Sequence, residues 1–308
     1  MKIRNDRRSE YFADINIPDK EGDDVEVVAC FKLDPDMLIG EGDSRVCIAL
    51  DSSVSIKEMF GVGSVGMFSP KPNYIEMVTR SVGKILMQVS SEELMPVFYW
   101  ALGRKGEGLE LAGQFSADEI EHAEIKGPKV EKWGRGTKLL PSLRYICETI
   151  SQDMNFTMAV IITDGFIEDE DEAIQYCMEI GREIQSGARE TLKLVLIGIG
   201  NEVNAEQLER FDDMFEGTEL EDDVDLFSSG IAASIQDEGE ILDILFGELM
   251  TEDVIVAPSG RILDEWGNMV ANYTDGLPGK IRFTLPKGAT YFSLEIQDLI
   301  IEQSVTNG

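Results

Sequence analysis

Three near-continuous apolar runs, at residues 46–50, 158–163 and 192–199, alternate along the chain with stretches of helical periodicity. A strand that is apolar on both faces has to be covered on both faces, and helices packed on a parallel sheet supply that cover. Ile75, Val78, Val82, Ile85 and Val89 mark one helical stripe, and Leu139, Leu143, Ile146 and Ile150 mark another. A third consists of Ala173, Cys177, Ile180 and Ile184. Residues 94–102 and 109–115 read as strands joined by the turn Gly103-Arg104-Lys105-Gly106. Leu208 and Phe211 suggest a short helix, and residues 224–227 a short strand. Ile231, Ile235, Leu242, Leu245 and Leu249 suggest a long closing helix. The predicted core is an α/β domain over residues 41–250, with a doubly wound, mostly parallel sheet flanked by helices.

The two ends have a different pattern. Residues 11–17 and 25–33 read as strands. After Thr251, the turn pairs Ser259-Gly260, Gly267-Asn268 and Asp275-Gly276, and then Pro286-Lys287-Gly288, punctuate short strands read at 254–257, 262–266, 281–285 and 291–296. Phe283 and Leu285, then Phe292, Leu294 and Ile296, alternate with period two. The expectation is a small β-sandwich in which residues 1–40 pair with a C-terminal β domain over 251–308, with the α/β domain inserted between them.

Fifty-nine acidic residues against 27 basic ones leave a net charge of −32. A field of that sign repels nucleic-acid phosphates and anionic lipid surfaces, so neither is an expected partner. No apolar stretch approaches the roughly 20 residues that span a bilayer, and the basic start of the chain has no apolar segment after it to act as a secretory signal. Cys30, Cys47, Cys147 and Cys177 lack CxxC spacing. They read as reduced, buried cysteines of a cytoplasmic protein.

Three loops carry the candidate chemistry. Asp51-Ser52-Ser53-Val54-Ser55 follows the first apolar run directly. Trp133-Gly134-Arg135-Gly136-Thr137 comes just before a helical stripe, and Asp164 ends the run at 158–163. Open α/β sheets bind ligands at the carboxyl edge of their strands, where these loops would meet. Asp51, Ser53, Ser55, Thr137 and Asp164 together offer only oxygen donors, the preference of a hard divalent cation.

In these motifs the chain resembles a von Willebrand factor A domain with an intact metal-ion-dependent adhesion site (MIDAS), over about residues 45–250. The Trp-Gly-x-Gly-Thr element with Pro141 further resembles the copine and tellurium-resistance branch. Val54 stands where the family often has glycine, and Lys138 where that branch usually has asparagine; neither change removes a ligand. The resemblance implies that Ser53 and Ser55 bind the ion through their hydroxyls and that Asp51 and Asp164 act largely through water. Thr137 would join when a ligand is engaged. Hydroxyl-dominated ligation leaves the cation's charge partly unquenched and open to an external carboxylate. Mg²⁺ suits such a site, with Mn²⁺ or Ca²⁺ as alternatives.

The expected function is a non-catalytic module that captures a Glu or Asp carboxylate of a protein partner. The alternatives are a metal-assisted hydrolase or phosphotransfer component, and a structural protomer of a larger, oligomeric assembly. A catalytic triad would have to use His122, the single histidine, and no Gly-x-Ser-x-Gly elbow is present. Gly61-Val62-Gly63-Ser64-Val65-Gly66 has the letters of a dinucleotide fingerprint but does not follow its strand directly. It reads as a flexible lid running to Pro72, with Met67 and Phe68 exposed. The acidic run at 168–172 reads as a helix N-terminus.

Overall fold

The structure is a computed structural model that describes residues 3, 7–9, 11–17, 25–31, 43–62, 64–65, 69–70, 72–200, 203–221, 223–232, 255–274, 276–297 and 299–306. Its strands begin with β1 (Phe12–Asn16), β2 (Val25–Phe31), β3 (Ser44–Asp51), β4 (Ser64–Val65) and β5 (Ser69–Pro70). They continue with β6 (Met95–Leu102), β7 (Gly108–Phe115), β8 (Phe156–Thr163), β9 (Thr191–Ile199) and β10 (Phe227–Ala232). The last seven are β11 (Ile255–Ala257), β12 (Gly260–Asp264), β13 (Met269–Tyr273), β14 (Leu277–Pro278), β15 (Lys280–Leu285), β16 (Tyr291–Ile296) and β17 (Leu299–Ser304). The helices are α1 (Tyr74–Leu86), α2 (Ala117–Ile120), α3 (Leu140–Tyr145), α4 (Glu170–Gln185) and α5 (Ala205–Asp212). The chain divides into two compact units, Glu41–Leu242 and Met1–Gly40 with Asp243–Gly308.

The larger unit is built on a six-stranded mixed sheet of order β10-β9-β8-β3-β6-β7. All its pairings are parallel except that of β7 with β6. Side chains alternate across a strand, so Cys47 and Ala49 of β3 face one side. There they join a core with Leu143 of α3, Ala173 and Ile180 of α4, and Leu208 and Phe211 of α5. The intervening Val46, Ile48 and Leu50 are equally buried, and α1 packs against the same strand. Its Ile75, Val78, Val82 and Leu86 form the buried stripe. Asn73 starts α1 by accepting the Glu76 N–H at 3.0 Å. Because five strands run parallel, their carboxyl ends lie along one edge.

Two details of the sequence reading are corrected. The short strand placed at residues 224–227 lies at Phe227–Ala232, paired in parallel with β9 along its whole length. Ile231 is therefore in a strand and not at the start of a long helix; the backbone pairing available beside β9 overrides the helical spacing. Ile235, Leu242, Leu245 and Leu249 lie outside the described residues, as do Gly63, Gly66, Met67 and Phe68 of the expected lid.

In the smaller unit β2 pairs antiparallel with both β1 and β15, which joins the two ends of the chain. A second sheet, β13-β12-β16-β17, is also antiparallel. The two sheets share one core, with Phe12, Phe31, Phe283 and Phe292 among its members. Phe292 lies 4.8 Å from Phe283 and 5.9 Å from Phe12, centroid to centroid and edge to face. The sequence reading missed β13 and β17. In β17 the inward positions are Ile301 and Gln303 while Ile300 is exposed, which inverts the usual apolar pattern. Gln303 is satisfied there by the Ser9 N–H at 2.7 Å and the Arg7 carbonyl at 3.1 Å.

Phe292→Ala removes a fully buried ring that bridges strands from the two ends of the chain. A loss of about 3–5 kcal/mol in urea unfolding is expected; a loss under about 1 kcal/mol would mean that the two ends do not share a core.

Candidate metal centre

Asp51 is the last residue of β3 and is fully buried. A lone carboxylate in that position is costly unless hydrogen-bonded, and both of its oxygens are engaged. Oδ1 accepts the Ser53 N–H at 2.7 Å, and Oδ2 accepts the Thr163 hydroxyl at 2.6 Å. Thr163 ends β8, the parallel neighbour of β3, one residue past the pairing of Leu50 with Ile162. The carboxylate thus ties together two strand ends and folds its own loop back. Burial pushes the Asp51 carboxyl above the ordinary range, while the Thr163 hydroxyl and the Ser53 amide pull it down.

That turn brings Ser53 and Ser55 together, with their hydroxyl oxygens 2.9 Å apart. Ser55 donates its hydroxyl to Asp164 Oδ1, also at 2.9 Å. Ser53 and Asp164 are buried and Ser55, which links them, is exposed, so the chain of three oxygens reaches the surface at its middle member.

The third loop is threaded between the first loop and the end of β6. Gly134 donates to the Ser52 carbonyl and its own carbonyl accepts the Val54 N–H, both at 2.9 Å, in a short parallel bridge. Gly103 donates to the Lys132 carbonyl, and Arg135 to the Gly103 carbonyl. Glycine is required at 134, because a Cβ there would lie 1.6 Å from the carbonyl oxygen of Ala101, a residue held at φ +58°. The carbonyl of Thr137 accepts the Glu168 N–H at 2.9 Å, joining this loop to the one that follows Asp164. Asp51, Ser53, Ser55 and Asp164 are therefore linked by direct hydrogen bonds. Thr137 is tied to them through backbone only, and its hydroxyl makes no hydrogen bond to the other four among the described residues.

Three supporting residues carried no recognisable signal in the sequence. Thr163 looks like any strand threonine. Asp169 precedes α4 without capping it and instead accepts the Leu139 and Leu140 N–H groups at 2.7 and 3.0 Å, fixing the start of α3. Glu110 of β7 accepts three successive backbone N–H groups, from Lys129, Val130 and Glu131, at 2.7, 3.0 and 2.7 Å. Partial burial pushes the Glu110 carboxyl up, but those three donors outweigh it and hold the carboxyl below its usual range. The segment it pins leads into Trp133, whose ring stacks edge-on against Phe60 at 5.0 Å.

The donor set fits a hard divalent cation. Adjacent ligands of an octahedral ion at about 2.1 Å lie about 3 Å apart, and the 2.9 Å spacings of Ser53, Ser55 and Asp164 match that separation as well as the hydrogen bonds they make. No three His, Cys, Asp or Glu side chains among the described residues are grouped to hold a metal. An ion at this edge would have the hydroxyls of Ser53 and Ser55 and the carboxylate of Asp164 as its nearest oxygen donors. His122 is exposed just beyond α2, where Glu119 and Ser116 form a capping box.

No family model matches the sequence, and no curated protein matches it. Similar solved structures include the PilB minor pilin from Streptococcus sanguinis, at 13% identity and a TM-score of 0.44, over 76% of this chain and 77% of that one. A conserved hypothetical protein, BatB from Bacteroides thetaiotaomicron, aligns at 12% identity and a TM-score of 0.40, over 68% of this chain and 98% of that one. Proximal thread matrix protein 1 from the mussel byssus, solved with zinc in its MIDAS motif, aligns at 12% identity and a TM-score of 0.42, over 66% of this chain and 47% of that one. The chemistry of the site rests on its own geometry.

Thr163→Val leaves one oxygen of a buried carboxylate without a donor. It should cost about 1–3 kcal/mol in chemical denaturation; an unchanged midpoint would show that Asp51 does not depend on it. Glu110→Ala should raise the hydrogen-exchange rates of the Lys129, Val130 and Glu131 amides selectively. Unaltered protection there would contradict the pinning.

Proposed function

We propose that this chain is a divalent-cation-dependent, non-catalytic protein-binding module of the von Willebrand factor A type, which captures a Glu or Asp side chain of a partner. The observation that carries the reading is the oxygen chain Ser53–Ser55–Asp164 at the carboxyl edge of the sheet, backed by the buried Asp51. When bound, Mg²⁺ or a similar ion supplies a positive charge that neutral hydroxyls quench only in part, with a coordination position open to an external oxygen.

The chain's own residues prepare that position. Asp51 holds the first loop in its turn without facing solvent. Ser55 is exposed and donates its hydroxyl to the buried Asp164, so Ser55 forms the accessible side of the centre. Thr137, on a loop fixed by Gly134 and Glu168, is the ligand expected to join once a partner's carboxylate arrives. A net charge of −32 attracts the cation and repels an acidic partner surface. The partner is therefore expected to offer a single carboxylate on a neutral or basic face. The four cysteines are buried and unbridged, which supports a reducing, cytoplasmic setting.

A cation that binds only the folded protein stabilises it by about 2.7 kcal/mol at a hundredfold excess over its Kd. Millimolar Mg²⁺ should raise Tm, EDTA should reverse the rise, and Asp164→Ala should abolish it. An equal shift in wild type and variant, or no shift in either, would refute the reading. Partner capture in Mg²⁺ that persists in EDTA would separate binding from the metal.

A further inference from the structure

Two large apolar side chains stand in solvent on the loops that supply the site oxygens. Val54, between Ser53 and Ser55, is 54% exposed, and Phe166, two residues after Asp164, is 52% exposed. Neither belongs to a loosely held segment. The Val54 N–H is bonded to the Gly134 carbonyl at 2.9 Å. Phe166 is followed by Ile167, which is fully buried and has both backbone groups locked by the side chain of the buried Gln207. Its N–H donates to Oε1 and its carbonyl accepts from Nε2, each at 2.8 Å. On the other side of Phe166, a Cβ added to Gly165 would lie 3.9 Å from the Ser55 hydroxyl oxygen. The chain therefore holds a phenyl ring and a valine in water next to Ser53, Ser55 and Asp164. Just beyond Phe166 the acidic run Glu168-Asp169-Glu170-Asp171-Glu172 begins, and those charges repel a carboxylate that the apolar pair does not.

We infer that Val54 and Phe166 form an apolar rim that selects, among carboxylates reaching the metal centre, those with a hydrophobic group beside the acid. This inference rests on the proposed metal-dependent capture of a carboxylate. Its ligand is an acidic side chain flanked by an aromatic or aliphatic neighbour, not an acid set in a polar or acidic segment. The two apolar residues contribute the part of recognition that the ion cannot, because a cation alone does not distinguish one carboxylate from another.

Phenylacetate and acetate present the same carboxylate with and without an apolar neighbour. The protein saturated with Mg²⁺ is titrated with each and followed by shifts of its amide resonances. A ring contact that buries on the order of 50–60 Å² corresponds to about a tenfold gain in affinity. Phenylacetate should therefore bind about tenfold tighter than acetate in Mg²⁺ and not at all in EDTA. Phe166→Ser and Val54→Ser should each bring the ratio toward one, whereas Met77→Ser, at another exposed apolar side chain on α1, should leave it intact. Equal affinities for the two acids in Mg²⁺ would overturn the rim while leaving metal-dependent capture standing. Binding of neither acid to the Mg²⁺-loaded protein would overturn the capture reading and the rim with it. Phenylacetate binding that survives EDTA would overturn the rim as a partner of the metal.

Discussion

The whole site depends on a carboxylate that solvent never reaches. Asp51 takes a hydrogen bond from the end of a neighbouring strand and another from its own loop. In a low-dielectric interior those two bonds are costly to break and leave the group few other orientations. The turn they impose puts two serine hydroxyls within 2.9 Å of each other and one of them within 2.9 Å of Asp164. The exposed chemistry is thus set by a buried interaction between parallel strands, which is why the sheet's strand order and register bear directly on function.

The larger unit's central strands, and the convergence of the loops that carry Asp51, Ser53, Ser55 and Asp164, could be read from the sequence because several signals agreed. Apolar runs of strand length ended in oxygen-bearing loops, and the motifs came in the order that a parallel sheet would bring to one edge. The missed features were those in which a residue acts on another element. Asp169 begins one helix in sequence and caps a different one in space. Glu110 sits on an edge strand and organises a loop 19 to 21 residues further along. Thr163 is an ordinary strand residue until β3 lies beside it. Ile231 has helical spacing with its successors, yet pairing with β9 places it in a strand. Gln303 stands where an apolar residue would have revealed β17, and its amide is met in part by the start of the chain, at Arg7 and Ser9.

Charge and apolarity divide the work at the proposed rim. The acidic body concentrates cations non-specifically, so attraction alone cannot define a site on such a surface. In the proposed reading, definition comes from neutral oxygens held at ligand spacing, and selectivity for an incoming acid from the two apolar side chains beside them. Loops fixed at both ends, by Gly134 on one side and Gln207 on the other, keep these groups in place without a ligand and lower the ordering cost of binding.

Where a paramagnetic ion settles, on a chain with so many competing carboxylates, is the most direct test of a defined metal centre. Substoichiometric Mn²⁺ broadens the amide resonances nearest to its binding site. The prediction is early, selective loss of the signals of residues 51–55, 135–137 and 163–166, ahead of those of a second acidic segment, Glu219-Leu220-Glu221-Asp222-Asp223. Uniform broadening over the acidic surface, or first loss at 219–223, would contradict a defined centre at the sheet edge.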